Sequence, residues 1–293
     1  MLALVSDRFN VVLPPSVLVE HSTIKGLAGV IANEAPQPSS EPLVLLRDDP
    51  HGHPFFLVHS GEGDVALYGH LARRLPGRPI YGFQSIGLEG EHSPLRSVEA
   101  MASRYLEDVL RCSPTGPYLL GGTRMGGMVA LEMARQLLQK GRSVELLTLL
   151  DFGETRRPRY YDAFFNPIRK AVDRTRIGVW TVVRHLRRNG KNSWLANYRS
   201  FVARMNCGSR HDYRMKRYPA TITLFLTPDR LGGQPDTLRL HTDEVCTIIV
   251  PGKRRGLLKP PAVDIVAREL QACLDEIESR PPDEIRTTPK CVR

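Results

Sequence analysis

The chain has 293 residues, 41% of them hydrophobic, enough for one large α/β domain with a small appendage but not for several independent cores. Formal net charge is +10. No apolar run reaches the roughly 18 residues of a membrane span, and no basic stretch leads into an apolar run at the start, so membrane and secretory readings are set aside. Five cysteines without a CxxC or an even framework suit a reduced, cytoplasmic setting.

Residues 1–33 stand apart. Asp7 to Ile24, with Leu13-Pro14-Pro15 and Glu20-His21-Ser22 inside it, leads into a short amphipathic helix, Lys25 to Ile31. This wording resembles the C-terminal part of an acyl or peptidyl carrier domain. The carrier's Asp-Ser-Leu, where phosphopantetheine attaches, would lie upstream of Met1, and Ser6 falls too late in the pattern to replace it. As written, the segment holds no attachment serine and is too short for its own core. A Pro- and Ser-rich linker, residues 34–42, follows.

From residue 43 strands alternate with helices. Strands are expected at Leu43 to Arg47, Pro54 to His59, Pro79 to Gln84 and Tyr118 to Leu120. Further strands are expected at Val144 to Leu150, Ala220 to Leu226 and Val245 to Val250. Helices are expected at Val65 to Leu75, Val98 to Ser113, the stretch after Gly126, and Val263 to Glu278. The alternation predicts an α/β fold with a mostly parallel sheet covered on both faces. Residues 153–218 break the rhythm: helical stretches at Ile177 to Leu186 and Trp194 to Met205 read as a helical lid inserted between strands. Residues 43–279 thus form the main domain, and the polar residues 280–293 a flexible tail.

The positive charge is concentrated in that lid. Thr155 to Arg217 holds 17 Lys or Arg against Asp162, Asp173 and Asp212, and the rest of the chain is slightly acidic. Such a segment suits an anionic partner such as an acidic protein or a phosphate group. Nucleic acid is a weaker option, because no recognition motif accompanies the charge. The plain alternative is a solvated helical face.

The chemistry centres on Gly121-Gly122-Thr123-Arg124-Met125-Gly126-Gly127. A strand that enters a glycine-dense corner and leaves as a helix is the outline of a nucleophile elbow, normally G-x-S-x-G. Here an arginine occupies the serine position. Together with His59-Ser60-Gly61-Glu62-Gly63-Asp64, Ile80-Tyr81-Gly82-Phe83-Gln84, Leu149-Leu150-Asp151 and Val250-Pro251-Gly252, the elbow resembles the thioesterase domains that end nonribosomal peptide and polyketide synthetases. The resemblance implies an α/β-hydrolase fold and release of an acyl or peptidyl chain from a carrier. It places the acid of the triad at Asp151, the nucleophile at Arg124 and the base at Arg254. It places the oxyanion donors in the backbone of Ser60, Gly61 and Met125.

Arginine can fill neither vacant role: it keeps its proton at neutral pH, and a guanidinium is no nucleophile. Loss of the serine or histidine alone costs a hydrolase on the order of 10⁶ in turnover. The resemblance therefore implies a pseudoenzyme that retains, if anything, the binding of a carrier protein or of a pantetheine-linked acyl chain. The alternatives are an acyl-thioester hydrolase with a non-standard site and a functionless synthetase remnant. Substitutes for the lost groups have plainer readings. Thr123 lies off the apex, Cys112 ends a helix, His59 packs its loop, and His241, Asp229 and Asp236 read as surface residues. An ion pair between Asp151 and Arg124 or Arg254 is expected, leaving a net positive pocket suited to phosphate or carboxylate.

Overall fold

The computed structural model describes residues 23–32, 41–88, 92–153, 193–231, 238–253 and 256–279, with Val5, Arg8, Phe9, Leu13 and Val17. The expected lid helix Ile177 to Leu186, the linker, the tail and Arg254 lie outside them. Helix α1 (Ile24–Ala32) buries no residue, and Ile24 is 91% exposed, whereas Leu13 and Val17 upstream are buried.

Seven strands form one sheet in the order β1 (Leu43–Arg47), β3 (Ile80–Phe83), β2 (Phe55–Val58), β4 (Tyr118–Thr123), β5 (Val144–Leu150), β6 (Tyr218–Leu226), β7 (Thr242–Ile249). β1 pairs antiparallel to β3, and every other pairing is parallel. The expected strands fall in place because parallel strands bury both faces and so read as continuous apolar runs. Alternate residues then serve two cores. Phe56, Val58, Leu120, Leu147, Leu149 and Leu224 pack with α3 (Val98–Cys112) and α4 (Met125–Gln139) on one face. Phe55, Leu57, Leu119, Leu146, Leu150 and Phe225 pack with α6 (Ala262–Glu278) on the other. Each such side chain removed from water contributes about 1.5–3 kcal/mol.

The helix expected over Val65 to Leu75 is shorter. A 3₁₀ turn, Ala66–Tyr68, passes into the single α turn α2 (Gly69–Ala72). Pro76 and Gly77 follow at once, and Gly77 takes φ +81°, which ends any continuation.

Helix α5 (Ser193–Asp212) closes over the sheet's C-terminal edge and is pinned along its last turns. Asn206, fully buried, donates to the Gly61 carbonyl at 3.3 Å and accepts from the Ser85 hydroxyl at 3.2 Å. Arg210 donates to the Gly153 carbonyl. Just beyond the helix, Tyr213 donates to buried Glu132 at 2.9 Å, a carboxylate also held by Arg135 at 2.7 Å. Cys112, Cys207 and Cys273 are free thiols. No helix among the described residues is long and apolar enough to cross a membrane.

Candidate active site at the strand-to-helix elbow

Strand β4 turns into helix α4 through a single residue, Arg124, held at φ 53° and ψ −109°. Positive φ is uncommon outside glycine, so the surrounding packing must impose it. The Arg124 amide donates to the Leu150 carbonyl at 3.0 Å. One residue upstream, the Thr123 amide donates to the Tyr68 hydroxyl at 3.0 Å, and that hydroxyl donates to the Val58 carbonyl at 2.6 Å.

Two glycines make the corner passable. A Cβ on Gly126 would lie 2.3 Å from the carbonyl oxygens of Val58 and His59, and one on Gly122 would lie 2.4 Å from the Gly126 carbonyl. Strand β2, its following loop and the first turn of α4 therefore touch backbone to backbone. Any larger residue would push them apart.

The expected ion pair is formed by Arg124. Its Nε donates to Asp151 Oδ2 at 2.8 Å, with the Asp151 side chain only 3% exposed. Asp151 follows β5 directly, at φ 47°, its amide bonded to the Phe225 carbonyl at 3.0 Å. A second cation approaches from the other side: Arg230 Nε stands 3.5 Å from Asp151 Oδ1. Arg230 was not singled out in the sequence. Its position just past β6, at the edge where ligand sites of parallel sheets collect, is the signal that could have found it.

A cleft of ≈ 380 Å³ opens at this edge, its wall including Ser60, Glu62, Thr123, Arg124, Asp151 and Lys259. Asp64 and His70 line it as well. Three carboxylates thus face two permanent cations among the described lining residues. The expected net positive pocket counted Arg254, which lies outside the described residues, and Arg230 adds a further cation beside Asp151. Glu62 is the residue the charge count missed. Ser60 donates its hydroxyl to Glu62 Oε2. Burial raises the Glu62 carboxyl, but the Ser60 hydrogen bond, its own backbone amide and the Arg124 charge together hold it below the usual carboxylate range. Burial and the neighbouring Glu62 push Asp64 up, although it caps the Ala66 amide at 3.0 Å.

The other residues that could serve as base or nucleophile separate clearly. His59 is fully buried beneath the cleft. Its Nδ1 lies 2.6 Å from the Ser60 carbonyl, which can only accept, so the proton sits there, and Nε2 lies 3.0 Å from the Tyr105 hydroxyl, which is also 3.1 Å from the Gln84 carbonyl. Burial pulls His59 down to about 4. It is a structural histidine with no lone pair facing substrate. Cys112 is exposed at the end of α3, and His241 uses its backbone to bond Leu238 and Tyr218. Asp229 is exposed, and Asp236 lies outside the described residues. Thr123 does line the cleft. Cys207 packs its sulfur against Gly61, where burial and the Glu62 charge push the thiol up and keep it protonated. Of the backbone positions expected at the oxyanion, Ser60 is on the cleft wall. Gly61 and Met125 are its sequence neighbours and those of Arg124.

Comparison with known proteins gives a consistent picture. Residues 53–203 match the family described as the thioesterase domain. Polyketide synthase PksR of Bacillus subtilis (strain 168) is 39% identical over 109 residues, 37% of this chain and 4% of that protein. Nonribosomal peptide synthetase apvA of Aspergillus terreus is 31% identical over 135 residues, 46% of this chain and 15% of that protein. The chain therefore corresponds to a small part of these relatives. Among solved structures, the NocB thioesterase domain in covalent complex with a fluorophosphonate nocardicin G analogue has a TM-score of 0.56 at 25% identity, covering 75% of this chain and 94% of that one. A four-domain nonribosomal peptide synthetase bound to AMP and glycine has a TM-score of 0.65 at 22% identity, covering 96% of this chain and 23% of that one.

Proposed function

The chain belongs to the thioesterase domain family, and from that membership we propose that it is a non-hydrolysing relative of the chain-releasing domains of polyketide and nonribosomal peptide synthesis. It holds a pantetheine-linked acyl group, presented by an acyl or peptidyl carrier protein, in the cleft above Arg124. One observation carries this reading: the apex of an intact elbow holds a guanidinium bonded to Asp151 at 2.8 Å. The acid that would orient a histidine is engaged by an arginine instead, and His59 points its lone pair at Tyr105. Arg254 takes the base position in the sequence and completes the loss. Ser60, Gly61 and Met125 keep their place as carbonyl-binding backbone.

The same reading makes the N-terminal residues a piece of carrier domain. The likeness to the four-domain synthetase supports it, because that likeness covers 96% of this chain where the single thioesterase domain covers 75%. On this reading the chain works in the cytoplasm, where it meets a pantetheine arm on its partner.

The test compares the native chain with the double variant Arg124→Ser, Arg254→His. Binding of acyl-pantetheine thioesters is followed by calorimetry and hydrolysis by thiol release. Both proteins bind, and the native chain releases thiol at least about 10³-fold more slowly than the variant. A native chain that binds no thioester, or one that turns over as fast as the variant, overturns the proposal.

A further inference from the structure

Ser60 has a setting that the reading above does not use. It follows β2 on a loop whose Val58 and His59 carbonyls are pressed against Gly126, in the first turn of the 15-residue helix α4. The backbone leading into Ser60 therefore meets the first turn of that helix. It is 3% exposed, lines the cleft, and donates to the Glu62 carboxylate. Arg124 stands on the same wall. Its Nε is occupied by Asp151, while Nη1 and Nη2 make no hydrogen bond among the described residues. A hydroxyl, a carboxylate that accepts its proton and a cation for developing negative charge thus border one cleft. Those are the three groups that acyl transfer requires.

We propose that Ser60 is an acyl-accepting nucleophile, with Glu62 as its proton acceptor and Arg124 as the cation that steadies the oxyanion of a thioester carbonyl. The inference rests on reading the cleft as a thioester site. Ser60 Oγ bonds to the carbonyl carbon while its proton passes to Glu62. The tetrahedral oxyanion collapses, the C–S bond breaks, and the leaving thiolate takes the proton from Glu62. The products are an acyl ester on Ser60 and a free thiol. The acyl group stays on Ser60, so each chain releases one thiol and the domain remains non-hydrolysing.

A carboxylate is a base about two pK units weaker than imidazole, so this route is slow beside a serine–histidine pair. A thiol leaves readily, with a pKa near ~8.5, so the thioester needs little of the acid assistance that an amide would. The chemistry is confined to activated acyl groups.

The experiment treats the native chain with an alkyl fluorophosphonate and maps the adduct by peptide mass spectrometry. The expected result is a single phosphonyl adduct, with loss of fluoride, on Ser60. Glu62→Gln slows its formation roughly 10²-fold, and Ser60→Ala abolishes it. No adduct on the native chain, or an adduct on Thr123 or any other residue in place of Ser60, overturns the inference whether or not the variants fold. Calorimetry of the native chain with a non-hydrolysable pantetheine amide separates the two readings. Binding without a Ser60 adduct sinks the nucleophile alone, and an adduct without binding sinks the cleft as a carrier-ligand site.

Discussion

Arg124 occupies a backbone conformation that disfavours it and a helix terminus that repels it. Positive φ costs a non-glycine residue about 1–3 kcal/mol, and a cation at a helix N-terminus a further 0.3–1 kcal/mol or so. Asp151 at 2.8 Å is what makes the residue tolerable there. A guanidinium is thus held at the apex of a tight turn by its carboxylate partner. His59 shows the opposite economy, a titratable ring kept neutral by full burial. Its value of about 4, set first by desolvation, compares with 6.5 in the unfolded chain. Because the folded value is the lower, the unfolded state binds the extra proton as pH falls. The stabilisation is fully present above pH 6.5 and is lost between there and about 4, some ~3 kcal/mol in all. Glu62 and Glu132, whose carboxyls are held below the ordinary value of 4.5, add to the loss only at lower pH. Urea midpoints measured at pH 7, 5.5 and 4.5 should therefore fall steadily for the native chain, with most of that slope removed in His59→Gln. A flat native profile above pH 4.5 contradicts the buried neutral ring.

At the scale of elements, the elbow is a three-way backbone contact of β2, β4 and α4. Gly126 is its closest point, with the Val58 and His59 carbonyls 2.3 Å from the place of a Cβ. Gly127, next in the helix, would meet the Phe152 ring at 3.0 Å, a side chain that can shift. Gly126→Ala should therefore cost about 3 kcal/mol or more, since backbone cannot give way locally, and Gly127→Ala about 1 kcal/mol. Equal losses in urea denaturation would show that the contact is not what sets the elbow. This corner was legible in the sequence because glycine spacing encodes close approach directly. The strands were legible because burial on both faces writes an unbroken apolar run. Helix Val65 to Leu75 was overextended because an apolar run there serves a 3₁₀ turn and one α turn, and periodicity cannot tell these from a longer helix. The partners of Asp151 were half legible. Arg124 follows from the elbow, whereas Arg230 reaches Asp151 only through the packing of segments far apart in sequence.

Across the whole molecule, charge is distributed so that the cleft and the surface around α5 have different characters. The cleft mixes Glu62, Asp64 and Asp151 with Arg124 and Lys259, and the sequence could not show this because counting charges along the chain ignores which side chains converge. On the described part of the basic segment, Arg204, Arg214, Lys216 and Arg217 are exposed, and Arg217 is paired with Asp243 at 3.1 Å. A carrier protein with an acidic face would be steered toward such a surface, and steering acts on the association rate more than on the final contacts. It also decays with ionic strength, because the Debye length shrinks from about 10 Å at 0.1 M salt to about 3 Å at 1 M. Arg204→Glu combined with Lys216→Glu should slow association with an acidic carrier roughly tenfold at low salt. Both proteins should converge on one slow rate near 1 M, while binding of a free pantetheine thioester in the cleft stays unchanged. Equal association rates at low salt would mean that the basic surface is a solvated face with no part in bringing the carrier to the cleft.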